Sequence, residues 1–319
     1  MIREVHVVDQ KHSPVMVGEV LHALNVQDDG TYVDATFGAG GHTKAILDQL
    51  SPNGRVLAID RDPNSYKFVN KLFSNERRLT FIQRSFSDLS LIVDEHNLNR
   101  CVVGIVIDLG VSSMQLDEAD RGFSFMRNGP LDMRMDPSVG ETAADWLNRV
   151  EEQELRRVLR EFGEERFAGR IARNVIKFRK IKPIRTTKVL SKLVADSVPT
   201  REYGKHPATR AFQAIRIHIN GELEELRTVL HQAIDTLAIG GRLVVISFHS
   251  LEDRCVKSFM RKSASGDCYP PDLPITDDQI HPTLRLLGKP IRPTPIEIES
   301  NPRSRSAILR SAEKLKSAI

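Results

Sequence analysis
Cysteine is scarce: three residues in 319, Cys101, Cys255 and Cys268, with no Cys-x-x-Cys pair. That argues against a disulfide framework and a cysteine-rich zinc site, and free thiols fit a reducing compartment. Long apolar runs are also missing. The longest, around Val102 to Val111, is interrupted by Asp108 and is too short to span a bilayer. The N-terminal Met1-Ile-Arg-Glu-Val-His lacks the apolar run of a signal peptide. No internal repeat is visible. A soluble cytoplasmic protein with no membrane partner is expected. Hydrophobic residues are 40% and charged residues 28%, enough for a sizeable core in two domains, or in one domain with an insertion.

The net charge of +4 says little until it is located. Between Arg166 and Arg216 stand fourteen lysines and arginines against two acids, Asp196 and Glu202. That segment carries +12 and the remainder of the chain −8. Such separation of signs points to a polyanion-binding face, with nucleic acid the leading partner, although a solvated basic surface produces the same count.

Strands and helices alternate in the first third. Tyr32–Phe37, Arg55–Asp60, Leu79–Gln83 and Cys101–Asp108 read as strands, the last almost wholly apolar, as a strand covered on both faces should be. A helix is expected from about His42 to Leu50, and another after Asp62-Pro63 with Asp62 as its N-cap. From about 112 to 215 no strand is convincing. Glu141–Phe162, Glu164–Phe178 and Thr186–Val198 read as helical. A helix from Glu222 closes at Gly240-Gly241, and Arg242–Phe248 is a further strand. Residues 264–295 read as a loop, and Ile296–Glu299 with Ala307–Arg310 as a final antiparallel pair. The expected fold is α/β: a parallel, Rossmann-like sheet over 1–111 and 216–319, interrupted by an all-helical basic block, 112–215.

Asp34-Ala-Thr-Phe-Gly38-Ala-Gly40-Gly41-His42 lies between a strand and a helix. Glycines there allow a tight turn and close approach of a ligand to the peptide groups. Asp60 ends the next strand, where an acid can accept both hydroxyls of a ribose. A dinucleotide fingerprint would want a third glycine where Thr43 stands. Asp-x-x-x-Gly-x-Gly instead resembles the first motif of the S-adenosylmethionine methyltransferases. The fourth strand ends in Asp108-Leu-Gly-Val-Ser-Ser113, without the Asp/Asn-Pro-Pro-aromatic string usual in amino-group methyltransferases.

Longer strings carry a more specific resemblance. Asp108-Leu-Gly-Val-Ser-Ser-Met-Gln115, Arg121-Gly-Phe-Ser-Phe-Met-Arg127, Gly129-Pro-Leu-Asp-Met-Arg-Met-Asp136, His206-Pro-Ala-Thr-Arg-Ala-Phe-Gln213 and Ser247-Phe-His-Ser-Leu-Glu-Asp-Arg254 resemble the MraW/RsmH family. The likeness runs from about His12 to Arg310. It implies methylation of the exocyclic N4 of a cytosine in the decoding region of bacterial small-subunit ribosomal RNA, as naked RNA or assembled subunit. It also implies S-adenosyl-L-methionine as cofactor, held at Gly40, Gly41, His42, Asp60, Phe86, Asp108 and Gln115. The helical block 112–215 then becomes a substrate-recognition domain.

The residue types suit that chemistry. Phe86 offers an aromatic surface for adenine. Cytosine N4 is a poor nucleophile because its lone pair is conjugated into the ring. An acceptor holding an N4 hydrogen favours the more nucleophilic pyramidal amine. Asp108, or a carbonyl beside it, is the candidate catalytic group; a cofactor contact is the competing role, and it could serve both. No histidine pair has helix-type metal spacing, so no metal is expected. His249 and Glu252 are candidates to meet substrate, Asp132, Arg134 and Asp136 read as a hydrogen-bonded loop or interface network, and Trp146 as core. Two other functions compete: a nicotinamide oxidoreductase, opposed by Thr43 and the basic insertion, and a non-enzymatic RNA-binding assembly factor, opposed by the intact glycine loop and strand-end acids.

Overall fold
The computed structural model describes residues 14–199, 206–266 and 281–315. Cys268 and the middle of the stretch read as a loop lie outside them, as do Arg201, Glu202 and Lys205 of the basic segment. The chain forms two compact units, a sheet unit up to Gly110 and from Leu223, and a helical unit, Val111–Glu222.

The sheet unit starts with α1 (Val17–Leu24), β1 (Thr31–Asp34), α2 (Gly41–Leu47), β2 (Arg55–Asp60), α3 (Ser65–Leu72), β3 (Leu79–Gln83), α4 (Leu89–Glu95) and β4 (Val102–Asp108). The helical unit holds α5 (Ser113–Asp117), α6 (Ala143–Arg149), α7 (Glu152–Glu161), α8 (Ala168–Arg179), α9 (Thr187–Ser197) and α10 (Thr209–Asn220). The chain re-enters the sheet unit along α11 (Glu222–Thr236). It continues with β5 (Leu237–Ser247), α12 (Ser250–Ser265), β6 (Leu284–Leu286), α13 (Pro295–Ser300) and β7 (Ile308–Lys314).

The sheet order is β3-β2-β1-β4-β5-β7-β6. The first five strands run parallel, and β7 is antiparallel to both β5 and β6. Alternate residues of each central strand feed two separate cores. Val33, Leu57, Ile59, Ile105, Ile107 and Val245 pack with α4, α11 and α12. Tyr32, Val56, Ala58, Val106, Val244 and Ile246 pack with α1 and α2. Because both faces are covered, these strands carry continuous apolar runs rather than an alternating pattern.

The helical unit has its own core. Leu155, Val158 and Leu159 of α7 meet Ile171 and Val175 of α8, with Trp146 and Phe212 in the same cluster. Its boundary lies at Glu222, because α10 runs on to Asn220 and belongs here: Ala211, Phe212, Ala214 and Ile215 are core residues and Ile219 packs against them. Asn220 ties its end down, donating to the Met133 carbonyl and accepting from the Met135 amide, both at 2.8 Å.

Several elements depart from expectation for local reasons. Ile296–Glu299 is not a strand but lies in α13, which Thr294 caps by accepting from the Glu297 amide, with Pro295 in the first turn. Ile296 is accordingly exposed. The partner of β7 outside β5 is β6, which falls inside the stretch read as loop. Gly240-Gly241 does not close a helix. Leu237 already pairs with Val102 and Arg242 with Gly104, so the glycines sit in a bulge within β5. Asp62 does not cap α3, which begins at Ser65; its carboxylate accepts from the Asn64 amide in the preceding turn.

Candidate active site
In an open α/β sheet, ligands meet the carboxyl ends of the strands where the strand order reverses, here between β1 and β4. Asp34 ends β1, Asp60 ends β2 and Asp108 ends β4. Thr36 locks the two central strand ends together, its hydroxyl accepting from the Asp108 amide at 2.6 Å. Asp34 is completely buried, accepting from the Thr36 amide at 3.1 Å and the Thr43 hydroxyl at 2.7 Å. Burial pushes its carboxyl above the usual range, against those two bonds and the nearby His42.

The glycine motif has two functions at once. Gly40 has φ +81°, a conformation that disfavours side chains, and a Cβ there would lie 2.7 Å from the Phe73 ring and 2.8 Å from that of Phe37. A Cβ on Gly41 would lie 2.7 Å from the Pro14 ring. These glycines are therefore required by the protein's own packing, besides whatever they allow a ligand. Gly38 donates its amide to Asp60 Oδ2 at 2.6 Å, and the Asp62 amide donates to Oδ1 at 2.8 Å. Both Asp60 oxygens are thus aimed by backbone donors, and each keeps further acceptor capacity. Burial nonetheless raises the Asp60 pKa to about 6.

His42 lies in the first turn of α2 and is buried, its Nε2 3.4 Å from Asp108 Oδ2. Burial works against the imidazolium, but the Asp108 carboxylate beside it, together with Asp34 and Glu297, outweighs burial and raises the pKa of His42. The pair is not aligned as a hydrogen bond: both His42 nitrogens and Asp108 Oδ1 are buried without a hydrogen-bond partner among the described residues. Groups left so cost on the order of 1–3 kcal/mol each, which makes the end of β4 a place that favours a polar ligand. Unpartnered donors and acceptors beside a ribose-type carboxylate fit a small zwitterionic nucleoside, and so fit S-adenosylmethionine.

The other expected residues stand elsewhere. Phe86 begins a 3-10 turn after β3 and is half-buried against the α4 side of the sheet. Gln115 is in the helical unit, buried in α5, where it forms a capping box: Ser112 Oγ accepts from its amide, and its Oε1 accepts from the Ser112 amide. His249 and Glu252 form a second box at the start of α12, with Glu252 Oε2 accepting from the Phe248 amide at 2.8 Å. Their first task is therefore to start a helix. Asp132 and Arg134 form an ion pair within a loop, and Arg134 also donates to the Gly140 carbonyl. Glu297 is a residue that sequence reasoning misses: it accepts from the Met16 amide at 2.6 Å and contributes to the field at His42. Nothing in the sequence links residues so far apart.

On the helical unit, Arg170, Arg173, Lys177, Lys180, Lys182 and Lys188 are exposed along α8, α9 and the turn between them. Arg179 differs. It is half-buried and donates to the Leu147 and Val150 carbonyls at 2.9 and 2.6 Å, closing the end of α6. Among the described residues no helix is long and apolar enough to cross a membrane.

The seven-stranded order with antiparallel β7, the glycine turn and the strand-end acids define an S-adenosylmethionine-dependent methyltransferase. The MraW methylase family matches residues 9–315, and the chain belongs to it. It is 52% identical over 304 residues to a Nitrosococcus oceani protein named ribosomal RNA small subunit methyltransferase H, covering 95% of this chain and 96% of the relative. Proteins of the same name from Chromohalobacter salexigens (52% over 308 residues, 96% of this chain, 92% of the relative) and Coxiella burnetii (51% over 306 residues, 96% and 99%) are similar to it.

Proposed function
We infer that this methyltransferase acts on small-subunit ribosomal RNA, transferring a methyl group to the exocyclic N4 of a cytosine in the decoding region. What supports the substrate is the half-identical relatives bearing that name, matched end to end. What supports the chemistry is Asp108, a strand-end carboxylate with one oxygen unpartnered beside a buried imidazole.

S-adenosylmethionine supplies, when bound, an electrophilic methyl on a sulfonium. Asp60 would accept its ribose hydroxyls, Phe86 would cover its adenine, and Gly40, Gly41 and His42 would hold its methionine end. The resemblance adds Gln115, whose side-chain oxygen accepts from the Ser112 amide. Asp108 would accept a hydrogen of the target N4, turning the lone pair toward the methyl and steadying positive charge as the N–C bond forms and the methyl–sulfur bond breaks; the thioether would leave and the surplus N4 proton would pass to the Asp108 carboxylate. Asp108 and Asp34 draw His42 toward its protonated form. The exposed cations of the helical unit hold the RNA backbone, making Val111–Glu222 the substrate-recognition domain. Nucleoside mass spectrometry of ribosomal RNA from cells with and without the gene tests this directly: N4-methylcytidine should disappear with the gene and return with it. A modification that persists without the gene overturns the reading.

A further inference from the structure
Three rings in the helical unit run from core to surface. Phe212 of α10 is buried, 4% exposed. Phe125 meets it edge to face at 5.0 Å, and on Phe125 the imidazole of His206 lies stacked, with centroids 4.5 Å apart and planes at 28°. Phe125 is half-buried, but His206 is exposed. The imidazole is also pinned in its own plane, because Nδ1 accepts from the Ala208 amide at 3.1 Å. In the neutral ring, that bond leaves the hydrogen on Nε2. Its inner face is therefore occupied and its orientation fixed. Among the described residues no other ring lies on its outer face.

The loop bearing Phe125 is tied to the start of α9. Thr187 Oγ1 donates to the Arg127 carbonyl at 3.0 Å, and Asn128 Oδ1 accepts from the Lys188 amide at 3.4 Å. Arg127, two residues from Phe125, and Lys188 both expose their side chains, and Arg127 also donates to the Asp117 carbonyl at 2.9 Å. A flat, immobilised, half-covered ring beside phosphate-seeking cations is how single-stranded nucleic acid is held: a base stacks on the ring and the backbone meets the charge. Because the ring is already fixed, little conformational freedom is lost on stacking.

We propose that His206, backed by Phe125, is a stacking platform for an unpaired base of the RNA outside the reacting cytosine, with Lys188 and Arg127 receiving neighbouring phosphates. This rests on the RNA reading above. The test uses the full-length protein and single-stranded RNA oligonucleotides of small-subunit sequence, each with one 2-aminopurine at a different position. Binding by wild type should quench the fluorophore at one or two positions. His206→Ala should weaken affinity about fivefold or more and abolish that quench, with the slope of affinity against salt little changed, since stacking on the ring face is not a phosphate contact. His206→Phe, which keeps a ring but loses the Nδ1 bond, should retain most of the affinity and the quench. Lys188→Ala should do the converse, lowering the salt slope and sparing the quench. If wild type binds and His206→Ala binds and quenches as well, or if the Phe variant loses as much as the Ala variant, the platform is refuted and the RNA reading stands. If wild type binds none of the oligonucleotides or assembled small subunits, the RNA reading itself fails.

Discussion

The sheet unit holds its strand-end acids against a core, whereas the helical unit displays a row of cations. Asp34 and Asp60 sit in or against a core, aimed by backbone amides and a hydroxyl, with His42 buried nearby, and burial shifts the proton affinity of the two acids upward. Lys177, Lys180, Lys182 and Lys188 stand in solvent on α8, α9 and the turn between them. A buried charge costs stability, so each position is specific and a single substitution should be felt. An exposed charge costs almost nothing, and its effect comes from number. The two units therefore invite different experiments.

The largest effect expected is on folding of the helical unit. A Cβ on Gly129 would lie 1.9 Å from the Ala119 carbonyl oxygen, a backbone atom that cannot step aside. Gly129→Ala should cost about 4 kcal/mol and lower the apparent Tm by roughly 10 °C. Gly169→Ala, whose Cβ meets only the Arg156 side chain at 3.5 Å, should leave it within about 2 °C. Calorimetric melts of the two variants decide whether backbone crowding explains the Arg121–Asp136 string.

Next is the cofactor. Asp60→Ala should weaken S-adenosylmethionine by roughly 1.5–3 kcal/mol, read by titration calorimetry. The pH arm is more telling. With its pKa at about 6, Asp60 loses its charge as pH falls through that value, and affinity should drop up to about tenfold between pH 7 and pH 5. Asp60→Asn should remove that dependence. The linked stability runs the other way: a raised carboxyl favours the fold below the usual carboxylate range and loses that advantage as pH climbs through about 6. An affinity flat from pH 5 to pH 7 in wild type would remove Asp60 from the ribose.

Asp108→Asn keeps size and one acceptor oxygen while removing charge. Single-turnover transfer at saturating cofactor and RNA should fall tenfold or more, roughly 1.4 kcal/mol. A near-normal saturated rate would leave N4 to be oriented by backbone carbonyls. The smallest effect per residue belongs to the exposed cations. Replacing Lys177, Lys180, Lys182 and Lys188 by Gln should flatten the salt dependence of RNA binding, by about 0.7–0.9 for each phosphate no longer neutralised. Cofactor affinity should be unmoved. Arg179→Gln should instead lower the Tm, because that guanidinium closes α6.

Legibility follows the same divide. The strand-end acids can be read from sequence because a fully covered parallel strand is a plain apolar run, and Asp60 and Asp108 end theirs abruptly. The glycine motif is readable too, although its crowding by Phe73 and Pro14 is not, since those contacts cross from other parts of the chain. Capping boxes escape: Gln115 and Glu252 look like free polar groups until the helix start they serve is located. Arg179 is indistinguishable from Lys180 in a charge count, and only tertiary packing separates a strut from a surface cation. Ile296 and Ile298 imitate a strand because two apolar residues at period two are too few to exclude a short, exposed helix.

The order of the last strands bears on how the protein is made. β6 is an edge strand whose neighbour in the sheet is β7, although β7 comes later in the chain. Until Ile308–Lys314 has been synthesised, β5 is left open on that side and Leu284–Leu286 has no ladder to join. A nascent chain halted before Ile308, or a protein clipped there, therefore forfeits two strands at once and lays bare the flank of β5, an apolar strand then open to pairing with a stranger.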